Sequence, residues 1–495
     1  MRKKYHGIIL GGNKNLGGGR NIAGFRLRTA AKKFGYDILT LDNSVAMEPH
    51  ELGEILSNVV TEETLMIGVS TVWLNSYDSE NKVTWVHEHF FEFIRNRFPH
   101  VSIVAGGPEG NWVLGSHIIY KNSSWILNGF SDVAFVKLLD LLSGKPDHGL
   151  MYTTDTAGKN IVTSNKTHLI HSPDDIETVL EPDDGFEPHQ PVPLEVSRGC
   201  IFRCSFCNHP FQGAKDYDSY IRTVDSLARE LRRNYELFGT TRYSIMDDTF
   251  NDSVEKLDRL KRAIEKAKLP DFKFMSYIKP ELLVTKPEMI GMLKDIGIAS
   301  GYVGIESMQP VARKAVKKGM DVNRILDAVA ELNSKANSTM HASFIVGLPG
   351  DTVDDQYKTF EFLKNTSDTY FRSWVFQRMS FYYDLNLQGF SEMDRDPEKF
   401  GYTITKKSPD SFAEWRTEHM TFDMATRCVA DINKQSRIHM RAAGWSLPLA
   451  WHLDVSEEDI ANKSLAELKL SYNGLIYNKK TVSKTLERLC NRTGV

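Results

Sequence analysis

Residues 198–210 read RGCIFRCSFCNHP, which places three of the chain's five cysteines, Cys200, Cys204 and Cys207, within eight residues. Five cysteines in 495 residues are too few for a disulfide-stapled scaffold, and the remaining two, Cys428 and Cys490, stand far away. A tight group of thiols in a reducing compartment reads as a set of metal ligands. Three thiolates on one loop suit three corners of a cubane iron–sulfur cluster, whereas clusters that only carry electrons usually take four protein ligands. The fourth iron is then left open, as catalytic metal sites keep a position for substrate or cosubstrate. The competing reading is zinc with His209 as fourth ligand, but only one residue separates Cys207 from His209, and no second pair lies at the usual distance.

Working outward, the cysteine loop follows an apolar run at 194–197, the first of six; the others lie at 243–247, 272–277, 302–306, 340–347 and 374–382. Helical spacing fills the gaps, as in Ile221, Val224, Ala228, Leu231, Tyr235 and Phe238. Six consecutive strand and helix units predict a partial (β/α)6 barrel of TIM type over 191–385, with chemistry at the carboxyl ends of its strands. Residues 1–145 also alternate, with strands at 6–10, 37–41, 65–69, 101–105 and 125–127, and predict a doubly wound, Rossmann-like α/β domain. Its ligand-facing loops are 11–20, 70–75 and 106–110. Between the two, 146–190 is rich in Asp, Pro, Thr and His and reads as a linker or strap. Residues 386–495 read as a mainly helical cap, in which Cys428 is a buried structural thiol and Trp415, Trp445 and Trp451 are core.

The formal charge of −3 is close to balance, so nothing global points to nucleic acid or an anionic membrane. The late basic residues Lys479, Lys480, Lys484, Arg488 and Arg492 read as a solvated helix face. The opening MRKKYHGIILGG has too short an apolar run for a signal peptide, and no stretch reaches the roughly 18 apolar residues that span a bilayer. A cytoplasmic protein acting on a small molecule or peptide is expected.

The spacing Cys-x-x-x-Cys-x-x-Cys, with Phe206 before the last cysteine, at the first strand of a six-unit barrel, resembles the radical S-adenosylmethionine (radical SAM) superfamily. The resemblance continues through YSIMDDTFND at 243, FMSYIKPELL at 274, YVGIESMQPVARKAVKKG at 302 and SFIVGLPGDT at 343. It implies that Cys200, Cys204 and Cys207 hold a 4Fe–4S cluster whose open iron chelates SAM. It implies a backbone contact from Phe206 to adenine, Asp247 and Asp248 near the SAM amino group, Glu306 toward SAM or substrate, and Gly347 in the adenine wall. A Gly-Gly-Glu is absent at 247–248, where Asp-Asp has N-cap formation as its other reading. A flavodoxin or ferredoxin as electron donor is also implied.

A second resemblance lies in IGVSTVWL at 67, FPHVSIVAGGPEG at 98 and SWILNGFSD at 124, which are similar to the cobalamin-binding domain preceding the barrel in one radical SAM subclass. Ser70, Gly106 and Gly107 match the positions that line the pocket for the cofactor's nucleotide tail. The loop GGNKNLGGGR departs from the pattern, since it lacks the Asp-x-His-x-x-Gly that gives cobalt a histidine. A bound cobalamin and a retained, empty fold both remain open. The domain order favours cobalamin-dependent methylation of an unactivated centre. The alternatives are a radical SAM cyclase, epimerase or rearrangement enzyme without cobalamin, and a non-catalytic metal- or cluster-binding protein.

Overall fold

The structure is a computed structural model that describes residues 4–11, 20–70, 85–107, 118–163, 172–207, 220–381, 391–407 and 413–490. It divides into two compact units, Met1–Leu180 with Ser471–Val495, and Glu181–Leu470.

The first unit is built on a seven-stranded sheet. Strands β1 (Gly7–Leu10), β2 (Ile38–Leu41), β3 (Met66–Ser70), β4 (Ser102–Gly107), β5 (Trp125–Asn128), β6 (Thr153–Thr154) and β7 (Asn160–Thr163) lie in the order β2-β1-β3-β4-β5-β7-β6. All neighbours are parallel except β6 and β7. Ile8, Leu10, Ile67, Val69 and Ile103 belong to one apolar layer, and Ile9, Met66, Val104 and Leu127 to the other, so both faces are covered as a doubly wound sheet requires.

Two stretches differ from the sequence expectation. Within 146–190, read as a linker, β7 extends the sheet beside β5, and residues 175–179 are tied to helix Ile22–Lys32. The buried Arg26 does this by donating to the carbonyls of Asp175 at 3.1 Å and Glu177 at 2.8 Å while pairing with Asp132 at 2.6 Å. Strands this short carry no readable alternation; backbone pairing orders them. The last helix, Leu470–Cys490, assigned by sequence to the cap, joins the first unit instead, because Val482 and Leu486 are buried in the core with Ile55, Phe91 and Ile94.

The second unit holds an all-parallel sheet of β8 (Val192–Leu194), β9 (Arg242–Ile245), β10 (Lys273–Ile278), β11 (Ile298–Glu306), β12 (Thr339–Val346) and β13 (Ser373–Arg378). Their spatial order equals their sequence order, and β8 and β13 are the two edges, so the barrel is partial and open. The helices between strands have ordinary causes. Val224–Phe238 starts where the Thr223 hydroxyl accepts the Ser226 amide and stops at Gly239, whose φ of 68° ends it. Helix Phe422–Ser436 packs outside β13, where Ser436 accepts the indole N–H of Trp374 at 2.8 Å. No helix among the described residues is long and apolar enough to cross a membrane.

Candidate functional site

The cysteine loop leaves the carboxyl end of β8, and several contacts fix its path. Gly199, at φ 115°, makes the turn into the loop, while the Arg198 amide donates to the Tyr220 carbonyl at 3.2 Å. Arg198 also pairs with Glu195, Nη2 to Oε2 at 2.7 Å. Within the loop the Cys207 amide donates to the Cys204 carbonyl at 3.1 Å, and the Met393 amide donates to the Ser205 carbonyl at 3.0 Å. All three cysteines are half-buried free thiols. Phe206 sits in the turn between Cys204 and Cys207, also half-buried.

The fit of this donor set to a cubane rests on three free thiols carried by one short loop. Among the described residues no three His, Cys, Asp or Glu side chains converge as the ligands of one metal ion do; a cubane needs each thiolate on its own iron. Cys200 Sγ lies 3.4 Å from Thr249 Oγ1, and burial, with the charges of Asp248 and Asp252, raises its pKa. Beside Cys204 opens a cavity of about 640 Å³ lined by Phe202, Arg203, Lys279, Glu281 and Lys318, among others. Lys279 lies over the Phe202 ring at 4.4 Å.

The two adjacent aspartates have different surroundings. Asp247 is buried, and its Oδ1 accepts the amides of Val196 at 2.8 Å and Ser197 at 3.2 Å. Its Oδ2 accepts the Ser197 hydroxyl at 2.7 Å and faces Lys256 at 3.3 Å. Burial pulls the Lys256 amine down, but Asp252 and Asp247 outweigh it and hold it protonated. Asp247 therefore braces the start of the cysteine loop. Asp248 is half-buried and its charge reaches Cys200 and Tyr277.

Glu306 ends β11 with φ 67°, after an irregularity in the pairing with β12 between Gly304 and Glu306. Its carboxylate accepts the Lys318 ammonium at 2.8 Å. Gly347 has φ 96°, and a Cβ there would stand 2.2 Å from the Trp415 ring, so backbone and packing both demand glycine. Its carbonyl accepts the Tyr402 hydroxyl at 2.7 Å. The loops after β11 and β12 are joined by the Ser307 hydroxyl, which donates to Asp351 at 2.9 Å.

Sequence reading did not find the floor of this face. Tyr277, Tyr302, His341 and Ser373 are register partners on β10 to β13, so their side chains share one face. Trp445 packs on Tyr277 and Tyr302 with ring centroids at 5.2 and 5.9 Å. Trp415 and Trp451 are core as expected, whereas Trp445 is only half-buried. Lys318 and Asp351 were likewise missed, because nothing in spacing distinguishes a lysine that turns inward from a solvated one.

In the first unit Ser70 and Gly106 are register partners at the carboxyl ends of β3 and β4, and Gly107 pairs with Asn128 at the end of β5. Among the described residues the buried Oδ1 of Asn128 has no hydrogen-bond partner, an orphaned acceptor beside these glycines. Such an acceptor suits a ligand rich in amide donors, as a corrinoid is. The glycine-rich loop at 12–19 and residues 71–75 and 108–110 lie outside the described residues, as does His209.

Comparison with known proteins places this geometry. The Radical SAM superfamily pattern matches residues 194–363. The radical SAM methyltransferase TsrM of Kitasatospora setae, whose structure holds cobalamin and a [4Fe-4S] cluster, shares the fold at TM-score 0.64 and 13% identity, over 96% of this chain and 100% of that one. The cobalamin-dependent radical SAM enzyme OxsB is similar at TM-score 0.55 and 16% identity, over 80% of this chain and 56% of that one. An uncharacterized methyltransferase of Pyrococcus horikoshii is 26% identical over 289 residues, 56% of this chain and 60% of its own length. The part of the chain that matches the Radical SAM superfamily pattern, residues 194–363, contains the cysteine triad and most of the open six-stranded sheet.

Proposed function

We propose that the protein is a cobalamin-dependent radical SAM methyltransferase that modifies an unactivated centre of a small molecule or peptide. The observation that carries this reading is the triad Cys200, Cys204 and Cys207 on the loop after the first barrel strand, in a chain whose fold is shared along its length with a cobalamin-bound radical SAM methyltransferase. When bound, the cluster supplies one electron that splits the SAM sulfonium to methionine and a 5′-deoxyadenosyl radical, and cobalamin supplies a methyl carrier.

The chain's own residues then have distinct tasks. Cys200, Cys204 and Cys207 hold the cluster, and Asp247 with Ser197 keeps their loop in place. Phe206, Asp248, Glu306 and Gly347 bound the SAM site, and Ser70, Gly106, Gly107 and Asn128 line the corrinoid pocket. A flavodoxin- or ferredoxin-type protein is the fitting electron donor.

Two measurements test this. Anaerobically reconstituted protein incubated with hydroxocobalamin and desalted should retain near-stoichiometric corrin absorbance. Dithionite-reduced protein with SAM should yield 5′-deoxyadenosine, lost in Cys204→Ala, and a methylated product once the substrate is supplied. Corrin loss together with SAM cleavage would point instead to rearrangement chemistry; no SAM cleavage at all would leave a non-catalytic cluster protein.

A further inference from the structure

Two non-glycine residues near the cysteine loop sit in the left-handed backbone region, Glu306 at φ 67° and Lys317 at φ 61°. Such conformations are costly and persist where the surroundings demand them. Glu306 and the residue after Lys317, Lys318, form one ion pair. The irregularity in β11 turns the Glu306 side chain back over its own strand, so that a Cβ on Gly304 would stand 2.3 Å from Glu306 Oε1. The turn at Lys317 ends helix Pro310–Ala315 and sends Lys318 inward, with its amide donating to the Arg313 carbonyl at 2.8 Å. Lys318 Nζ then donates to the Gly304 carbonyl at 2.6 Å and to Glu306 Oε1 at 2.8 Å.

Arg313 locks this arrangement by donating to the carbonyls of Ile305 and Met320 and pairing with Glu281 at 3.2 Å. The ammonium is buried, yet it lines the same cavity as Cys204. Burial draws the Lys318 pKa down, but Glu306, Glu281 and Cys204 outweigh it and raise it above the ordinary lysine value. Stability does not account for the construction, since desolvation offsets most of what a buried ion pair gains.

We propose that Lys318 is a positioning residue that sets the electrostatic potential at Cys204 and so raises the reduction potential of the cluster held there, with Glu306 and Gly304 fixing the ammonium in place. The inference rests on the cluster reading above. Reduction adds a negative charge to the cluster, and a fixed cation nearby favours the reduced form; charge, hydrogen bonding and exposure are the protein's levers on such potentials.

The test is a redox titration of the anaerobically reconstituted full chain, followed by electron paramagnetic resonance of the reduced cluster. In the double variant Lys318→Met, Glu306→Gln, the ratio of reduced to oxidised cluster at the wild-type midpoint should fall about tenfold, equivalent to about 59 mV for a one-electron couple. Glu306→Gln alone leaves the cation unbalanced and should move the midpoint the opposite way, which keeps the test decisive if the double variant loses its cluster. Lys318→Arg should keep the wild-type value. Unchanged midpoints at equal iron and sulfide content per chain, or an equal shift in Lys318→Arg, would overturn the inference. A wild-type chain that assembles no cluster would overturn the proposed function instead.

Discussion

Asp247 and Ser197 are joined twice, through the Ser197 amide at 3.2 Å and its hydroxyl at 2.7 Å, so that the carboxylate at the end of β9 grips the chain as it leaves β8 for the cysteine loop. The loop that carries the three cysteines thus starts from a fixed point. The oxygens that a sequence comparison would aim at a cofactor are occupied inside the protein.

Asp247→Asn should therefore destabilise the fold before it affects SAM. Breaking a buried ion pair costs about 3–5 kcal/mol, and the lower end applies because Asp252 still faces Lys256 at 3.0 Å. Urea unfolding of the unreconstituted protein reads this directly. A wild-type unfolding midpoint combined with lost SAM binding would put Asp247 in the cofactor site after all.

Gly304→Ala should cost about 1–3 kcal/mol, the usual penalty of overpacking, since the new methyl meets Glu306 Oε1 at 2.3 Å and Lys318 Nζ at 3.0 Å. Glu306→Gln combined with Gly304→Ala should not restore stability, because the amide fills the same space. Thermal unfolding of the single and double variants checks both points.

Gly106 offers the contrast. A Cβ there lies 3.6 Å from Leu127, an ordinary contact, so Gly106→Ala should stay within about 0.5 kcal/mol of wild type. Gly106→Leu, reaching beyond the strand end, should abolish retention of hydroxocobalamin. Full corrin retention in Gly106→Leu would remove this residue from the pocket.

Asp351 carries a pH signature. Burial pushes its carboxyl up to about 7, against the Ser307 hydrogen bond that holds it down. The folded state keeps a proton that the unfolded chain releases above its ordinary value of 3.8, so this contribution is full below that value and is lost as pH rises toward about 7. The slope is at most about 1.4 kcal/mol per pH unit. Asp351→Asn, which still accepts the Ser307 hydroxyl, should flatten it in denaturant titrations across this range.

His341 acts in the opposite direction. Burial drives its imidazole down to about 3, with Nδ1 at 2.8 Å from Ser373 Oγ and Nε2 without a partner among the described residues. The unfolded chain takes up a proton below the ordinary value of 6.5, so stability falls as pH drops from there toward about 3. The two slopes oppose each other where their windows overlap. His341→Phe, which can keep the ring stack on Tyr302 seen at 4.8 Å, should remove the acid-side decline and leave the Asp351 slope exposed. An unchanged acid limb would show that His341 titrates normally.

The local chain determined much of this protein. Alternating strands and helices of readable length settle two parallel α/β units, and three cysteines in eight residues mark one loop after a strand as a set of ligands, because spacing and period are properties of neighbours. Tertiary structure alone decided which charged residues turn inward. Asp247 and Asp248 are adjacent and identical in type, yet one is enclosed by Ser197 and Lys256 while the other faces Cys200. Lys317 and Lys318 are likewise adjacent, and only the second enters the fold to meet Glu306. The helix Leu470–Cys490 joins a core whose other buried residues lie between Ile8 and Ile126, since Val482 and Leu486 are buried in the same cluster. These outcomes depend on where distant elements bring their carboxylates, amides and apolar faces, and burial, which sets the cost of an unpaired charge, exists only once those elements have met.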